Sequence, residues 1–231
     1  MTSILSGNAM QSIASQHQLV RPGARFGTLI VLVGLLAGCA GLVDKPVTRT
    51  LYDFGPDVPA ATASAAQGSQ AAVVLADIDA AGALDGTAVL YRLAYADANQ
   101  LRPYAQARWS ASPPQLVRQR LRELLGRERP VLDLDESAAL AREGGVQPRV
   151  LRLELEEFSQ VFESTTQSVG LLRLRATLMQ NTPAGEKLVG QRTITMRAPA
   201  ATADAPGGVR ALGEATNAAA ADLGRWLRET R

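Results

Sequence analysis

Apolar and polar residues alternate most regularly in the second half of the chain. Leucines occupy every second position of residues 151–155, between Arg and Glu, and apolar residues alternate with Arg and Thr over residues 172–178. A period of two predicts half-buried strands with one face against a core. Glu157 and Phe158 shift the phase by one residue, as a β-bulge would. Residues 187–197 predict a third strand. If the first two strands form a hairpin, the acidic residues of the first would face the basic residues of the second.

Shorter runs before residue 136 predict five further strands. They lie at residues 50–54, 71–78, 87–94, 100–109 and 131–135. Several of them are bounded by Gly, Pro or Asp, which favour turns because they adopt or preset the required backbone angles.

Two segments carry the period of an amphipathic helix. Ser112 followed by two prolines is typical of a helix start, because the hydroxyl caps free N–H groups and proline lacks one. The apolar residues that share the next helical face are Val117, Leu121, Leu124 and Leu125. A C-terminal helix places on one face Leu212, Thr216, Ala219, Leu223, Trp226 and Leu227. We therefore predict a single α/β domain over residues 50–231, with two layers: a mainly antiparallel sheet and two amphipathic helices packed on one of its faces.

Residues 21–39 have the organisation of a bacterial lipoprotein signal peptide. Two arginines precede an apolar run of about twelve residues, which is too short to span a bilayer of about 30 Å as a helix. The sequence Leu-Ala-Gly-Cys that ends this run matches a lipobox, in which small residues precede the cysteine that receives lipid. We expect residues 1–38 to be removed by cleavage between Gly38 and Cys39.

The mature chain is expected to begin at an acylated Cys39 that carries a diacylglycerol and an N-acyl chain, with no other cofactor and no metal. Several fatty chains give a durable membrane anchor, whereas one does not. Residues 39–49 would form a tether that reaches about 30–40 Å at ~3.3 Å per residue. Ala40 favours the periplasmic face of the outer membrane, since Asp at this position commonly signals retention in the inner membrane. The alternative is an uncleaved apolar helix that buries its cysteine.

The charge balance of the mature chain argues against nucleic acid as a partner. Of the 24 Lys and Arg residues, Arg21 and Arg25 would leave with residues 1–38, so 22 remain against 22 Asp and Glu. A nucleic-acid-binding protein would be expected to carry an excess of positive charge.

The residue types also argue against an enzyme. The sequence has one His, which lies in the leader, and one Cys, which is the lipidation site. The mature chain would therefore lack the commonest general base and a free thiol nucleophile. The sequence also shows no phosphate-binding or nucleophile-elbow motif. A carboxylate-dependent hydrolase remains an alternative, because Asp133 and Asp135 would point the same way on a strand.

Aromatic residues and arginines are interleaved at residues 91–109, although aromatics make up only 4% of the chain. This combination is typical of protein interfaces. The candidates for partner binding are Tyr91, Arg92, Tyr104, Arg108 and Trp109. Tyr95 lies in the same stretch. The alternative for each ring is that it fills the core beneath the first helix.

The same stretch carries a family resemblance. Residues 89–121, through Tyr91-Arg92, Tyr104, Arg108-Trp109, the Pro-Pro pair and the Leu-bearing helix, resemble the ABC-type transport auxiliary lipoprotein family. Residues 51–54 resemble that family's opening strand, and residues 151–162 resemble a later strand.

The resemblance implies an α/β fold and a non-enzymatic component of an envelope system that moves phospholipids or other hydrophobic molecules. Such lipoproteins accompany an ATPase, a permease and a periplasmic protein of the MCE (mammalian cell entry) type. The implied task is to dock the MCE protein at the outer membrane, and self-association is compatible with ring-shaped MCE partners. The alternative is a structural or assembly lipoprotein of the outer membrane that is unrelated to ABC transport.

Overall fold

The computed structural model describes residues 48–56, 70–142 and 147–230. The predicted signal peptide, the cleavage site at Gly38 and Cys39, and all but the last two residues of the predicted tether lie outside these described residues. No helix within the described ranges is long and apolar enough to cross a membrane.

The described residues form eight strands, four α-helices and one 3-10 helix at Gly82–Leu84. The strands are β1 Thr50–Tyr52, β2 Val73–Ala80, β3 Ala88–Leu93, β4 Ala98–Trp109, β5 Val131–Leu132, β6 Arg149–Phe162, β7 Ser168–Thr182 and β8 Gly185–Pro199. The helices are α1 Ala94–Asp97, α2 Pro113–Leu125, α3 Leu134–Arg142 and α4 Ala205–Glu229. The predicted α/β class is confirmed, and the two long helices are those that the amphipathic patterns predicted.

β6 is the central strand of the sheet. On one side it pairs antiparallel with β7, and β7 pairs antiparallel with β8. On the other side it pairs parallel with β2 along residues 149–155 and with β3 at residues 160–162. β5 extends the sheet beyond β2, while β4 and then β1 extend it beyond β3. The long hairpins make the sheet mainly antiparallel, as predicted.

The register of β6 and β7 follows the alternation seen in the sequence. The pairing shifts between Leu155 and Glu157, which is the bulge that the change of phase predicted. The leucines before the bulge and the alternating apolar residues at positions 172–178 of β7 are buried, and the charged residues between them lie on the opposite face. Glu154 stands opposite Arg175, and Glu157 stands opposite Arg173. The predicted facing of an acidic and a basic row is therefore confirmed.

α2 and α4 pack against the sheet and against each other. Ser112 precedes α2, and its backbone N–H donates to Gln115 Oε1 at 3.3 Å. Asp204 caps α4, where its Oδ1 accepts a hydrogen bond from Gly207 N at 2.8 Å. The apolar faces of both helices join one core with the inward side chains of the strands. Leu124 and Trp226, which the pattern placed on those faces, are only partly buried.

The predicted strand at residues 131–135 is wrong in its second half. β5 covers the first two of these residues, and α3 begins soon after. Asp133 Oδ1 accepts from Glu136 N at 2.8 Å, while Glu136 Oε2 accepts from Asp133 N at 2.8 Å. This reciprocal pair is a capping box. Asp135 is exposed in the first turn of the helix. The two carboxylates do not share a strand face, so the hydrolase alternative loses its basis.

Candidate partner-binding surface

Tyr91 on β3 and Tyr104 on β4 form an aromatic pair. Their ring centroids are 4.6 Å apart, and the planes are inclined at 41°. Phe162, at the end of β6, meets Tyr91 edge-on at 5.9 Å and 74°. Such tilted and edge-on arrangements are the favoured ones for aromatic pairs. Both tyrosines are half-buried, so each contributes to packing and still presents part of its surface to solvent.

Tyr104 is held by a buried hydrogen-bond chain. Its hydroxyl donates to Gln160 Oε1 at 2.7 Å, and Gln160 Nε2 donates to Ser168 Oγ at 2.7 Å. Gln160 is completely buried, so both of these bonds satisfy groups that water cannot reach. Burial raises the pKa of the Tyr104 phenol well above its ordinary value, and Tyr91 and Asp204 add to this effect. The phenol is therefore neutral at physiological pH and acts as a hydrogen-bond donor.

Arg92 is engaged within the domain. Its Nε and Nη2 donate to Glu157 Oε1 and Oε2 at 3.2 and 3.0 Å, which is a bidentate pair. Its Nη1 reaches the carbonyl oxygens of Ala98 and Asn99 at 3.3 and 3.4 Å. Arg92 thus ties the chain that leaves α1 to the charged face of β6.

Arg108 also bonds to the backbone of its own strand. The pairing of β3 and β4 is irregular before Arg108, which leaves carbonyl groups of β4 out of the ladder. Arg108 Nη1 donates to the carbonyl oxygens of Tyr104 and Ala107 at 2.6 and 2.7 Å. The guanidinium therefore stabilises the irregular segment that presents Tyr104.

Trp109 is a core residue, and the expectation that it contacts a partner is corrected. Its side chain is only 1% exposed. Its ring lies 5.7 Å from that of Phe54 and 5.6 Å from that of Phe158, in an edge-on and a tilted arrangement. A ring enclosed in this way stabilises the fold and has no surface to offer another protein.

Tyr95 is the exposed ring of the interleaved stretch. It lies in α1, the short helix between β3 and β4, and is 48% exposed. The amphipathic patterns did not predict α1. Gln160 and Glu157, which hold Tyr104 and Arg92, were also missed as site residues. The change of phase at the bulge was the available signal, because it turns Gln160 into the core between Phe158 and Phe162.

Comparison with known proteins identifies the family. The model of a family described as the ABC-type transport auxiliary lipoprotein component matches residues 52–224. The chain belongs to this family, which confirms the resemblance drawn from its sequence. The family is one of transport auxiliary lipoproteins and not of enzymes. No curated protein matches the chain in sequence.

Solved structures share the fold. The crystal structure of a DUF330-family protein from Xanthomonas campestris has a TM-score of 0.61 and 17% identity, covering 78% of this chain and 96% of that chain. A structure of an uncharacterized protein has a TM-score of 0.55 and 12% identity, covering 78% of this chain and 99% of that chain. A Neisseria meningitidis lipoprotein is also similar, with a TM-score of 0.32 and 10% identity over 68% of this chain and 99% of that chain. The similarity to the first two structures shows a shared fold and nothing about function. The similarity to the Neisseria protein is too low to support a conclusion about this chain.

Proposed function

We propose that this chain is an outer-membrane lipoprotein of an ABC-type lipid-transport system and that it docks the periplasmic MCE protein of that system. The main support for this proposal is the family match across residues 52–224. The lipobox that ends at Cys39, and Ala40 after it, support an anchor in the outer membrane. The near-neutral charge of the mature chain favours a protein or lipid partner over nucleic acid.

Tyr95 is the side chain that we expect to contact the MCE protein. Exposed tyrosines are favoured at interfaces because the ring buries a large area and loses little conformational entropy. The bonds from Arg92 to Glu157 and to the carbonyl groups after α1 fix the position of the short helix that carries this ring. A ring on a pre-positioned helix binds at a lower entropic cost than one on a mobile loop. The half-buried pair of Tyr91 and Tyr104 is proposed as the second aromatic element of the surface.

Site-specific photocrosslinking in cells tests this proposal. A photoreactive phenylalanine replaces Tyr95 in the lipidated, full-length chain, and a matched control carries it at Leu188 on β8, which is also an exposed apolar position. We expect the probe at position 95 to capture an MCE-type protein, identified by mass spectrometry, and the probe at position 188 not to do so.

Two results would contradict the proposal. Capture of an outer-membrane assembly factor at position 95 would favour the structural or assembly lipoprotein instead. Failure of the probe at position 95 to capture any MCE-type protein, in cells that make the whole transporter, would reject the docking role.

A further inference from the structure

Three strands end the sheet in the described part of the chain, and they differ greatly in length. β1, β5 and β8 each pair on one side only. β1 has three residues and β5 has two, whereas β8 has fifteen. An edge strand exposes unpaired backbone N–H and C=O groups to any other strand, and proteins commonly limit this exposure by keeping edge strands very short. β1 and β5 follow that rule, and β8 is a long exception.

Most of β8 is a regular edge. Residues 190–199 pair with residues 169–178 of β7 without any change of register. The register shifts only at Val189, which has no opposite residue, so the bulge and Lys187 lie at the other end of the strand. Bulges and edge lysines are devices that keep foreign strands away, and β8 carries both outside its regular part. The regular part can therefore accept a further strand along its length.

The side chains of the regular part favour pairing with another strand. Thr193 and Thr195 lie at its centre and are exposed, while Ile194 between them points into the core and is 1% exposed. β-branched residues are favoured in strands because they pack well on a pleated surface. Threonines that stand opposite each other on antiparallel strands also form favourable cross-strand pairs. An edge of this kind recognises an extended strand rather than a helix or a small molecule.

The two arginines of the regular part are neutralised within their own chain. Arg192 Nη2 donates to Asp222 Oδ2 on α4 at 2.7 Å, and Arg197 pairs with Glu163, which follows β6. A charged side chain on an edge strand normally repels a like-charged partner. Because each arginine faces a carboxylate of the same chain, a second β8 can approach without meeting an uncompensated positive charge. The edge is thus compatible with an identical copy of itself.

We propose that β8 pairs antiparallel with β8 of a second copy of this chain, about a two-fold axis that passes near Thr193 and Thr195. Two identical edge strands related by such an axis run antiparallel, so each hydrogen bond that one copy donates is matched by one from the other. The two sheets then form one continuous sheet, with both helix layers on the same face. This surface does not include Tyr95, and the proposal stands whether or not the chain docks an MCE protein.

Disulfide crosslinking in the cell envelope tests this pairing. The full-length chain has one cysteine, Cys39, whose sulfur is expected to carry lipid, so an introduced cysteine supplies the free thiol. Thr193→Cys and Thr195→Cys are made separately, and the matched control is Thr177→Cys on β7, one strand in from the edge. Residues that face each other on antiparallel strands have Cα atoms about 4.5–5.5 Å apart, a separation that a disulfide can bridge.

We expect a reducible dimer of this chain from at least one of the two edge variants, and none from the control or the unmodified chain. A dimer that forms as readily in the control would show that crosslinking does not depend on β8. Absence of a dimer from both edge variants would show that two β8 strands do not meet, and a disulfide to a different protein would assign the edge to that partner. Each of these three results would overturn the proposal.

Edge lysines provide a second test, in which light scattering measures the mass of the detergent-solubilised protein. The variant carries both Thr193→Lys and Thr195→Lys, which place like charges on the two sides of the axis, and the matched control is Thr177→Lys. We expect the unmodified chain and the control to contain an even number of copies and the double variant to contain half as many.

A monomeric unmodified chain, or a double variant of unchanged mass, would contradict the pairing. Far-UV circular dichroism of the double variant should match that of the unmodified chain, which separates loss of pairing from loss of fold. If the double variant does not fold, the cysteine variants decide the matter, because they leave the edge uncharged.

Discussion

Gly208 is the residue at which α4 comes closest to the buried Gln160. A Cβ atom at this position would lie 2.1 Å from Gln160 Oε1 and 3.1 Å from Gln160 Cβ. Gly170 on β7 allows a second close approach between the sheet and α4, because a Cβ atom there would lie 2.6 Å from the backbone of Ala211. These two positions let the helix lie directly on the sheet, beside the hydrogen bonds that hold Tyr104.

Gly208→Ala is therefore expected to destabilise the protein by about 1–3 kcal/mol, which is the usual cost of overpacking a close contact. Gly213→Ala, in the same helix, is the matched control. Its Cβ would meet only Phe54 at 3.6 Å, an ordinary contact, and alanine favours the helix by up to about 1 kcal/mol. Urea unfolding measures both variants. Equal free energies of unfolding for the two would contradict the close approach of α4 to Gln160.

The charged face of the β6–β7 hairpin centres on Glu156. Its Oε2 accepts from Arg173 Nε at 2.9 Å, and its Oε1 lies 2.5 Å from Arg175 Nη2, in an ion pair without the angles of a hydrogen bond. The Glu156 side chain is 16% exposed, whereas Glu154, which pairs with Arg175 at 3.6 Å, is 52% exposed. Charge pairs gain strength as water is removed, so Glu156 is expected to be the more important of the two.

Glu156→Gln is expected to lower the free energy of unfolding by about 1 kcal/mol, because two arginines would face each other without their shared carboxylate. Glu154→Gln should cost less than about 0.5 kcal/mol, as exposed pairs do. Denaturant unfolding at low salt and in 1 M NaCl tests both, and high salt should reduce each effect. A larger effect for Glu154→Gln would show that exposure does not determine the strength of these pairs.

The elements that could be predicted from the sequence are those whose burial has a regular period. Alternation predicted β6 and β7 with their bulge. A capping serine and an apolar face predicted α2, and an apolar face alone predicted α4. Residues 131–135 alternate as a strand does, but Asp133 forms a capping box with Glu136 and starts a helix instead. Local periodicity is ambiguous over so few residues, and the capping bonds determine the outcome.

The candidate site was less predictable because its chemistry depends on contacts between distant segments. The sequence placed the rings and arginines in one stretch, but burial separates Trp109 from Tyr95. Only the parallel pairing of β3 with β6 brings Arg92 to Glu157 and Tyr104 to Gln160.

Anchoring concerns the whole protein and gives a further prediction. Replacing residues 1–39 by an ordinary cleavable secretory leader should yield a water-soluble periplasmic protein, since the fatty chains on Cys39 are the expected anchor. The matched control keeps residues 36–39 and should fractionate with membranes. Membrane fractionation followed by intact mass measurement tests both. If the version without Cys39 also remained on the membrane, the folded domain itself would be binding lipid.

The position of β6 has a consequence for how the protein is made. β1, β4 and β3 form one group of strands, β2 and β5 form another, and within the described residues β6 is the strand that joins them. In a chain that leaves the cytoplasm N-terminus first, these two groups therefore remain separate ribbons of strands until Arg149–Phe162 has been translocated. Truncation ahead of Arg149 should leave a fragment that proteases degrade, because neither ribbon alone encloses a core.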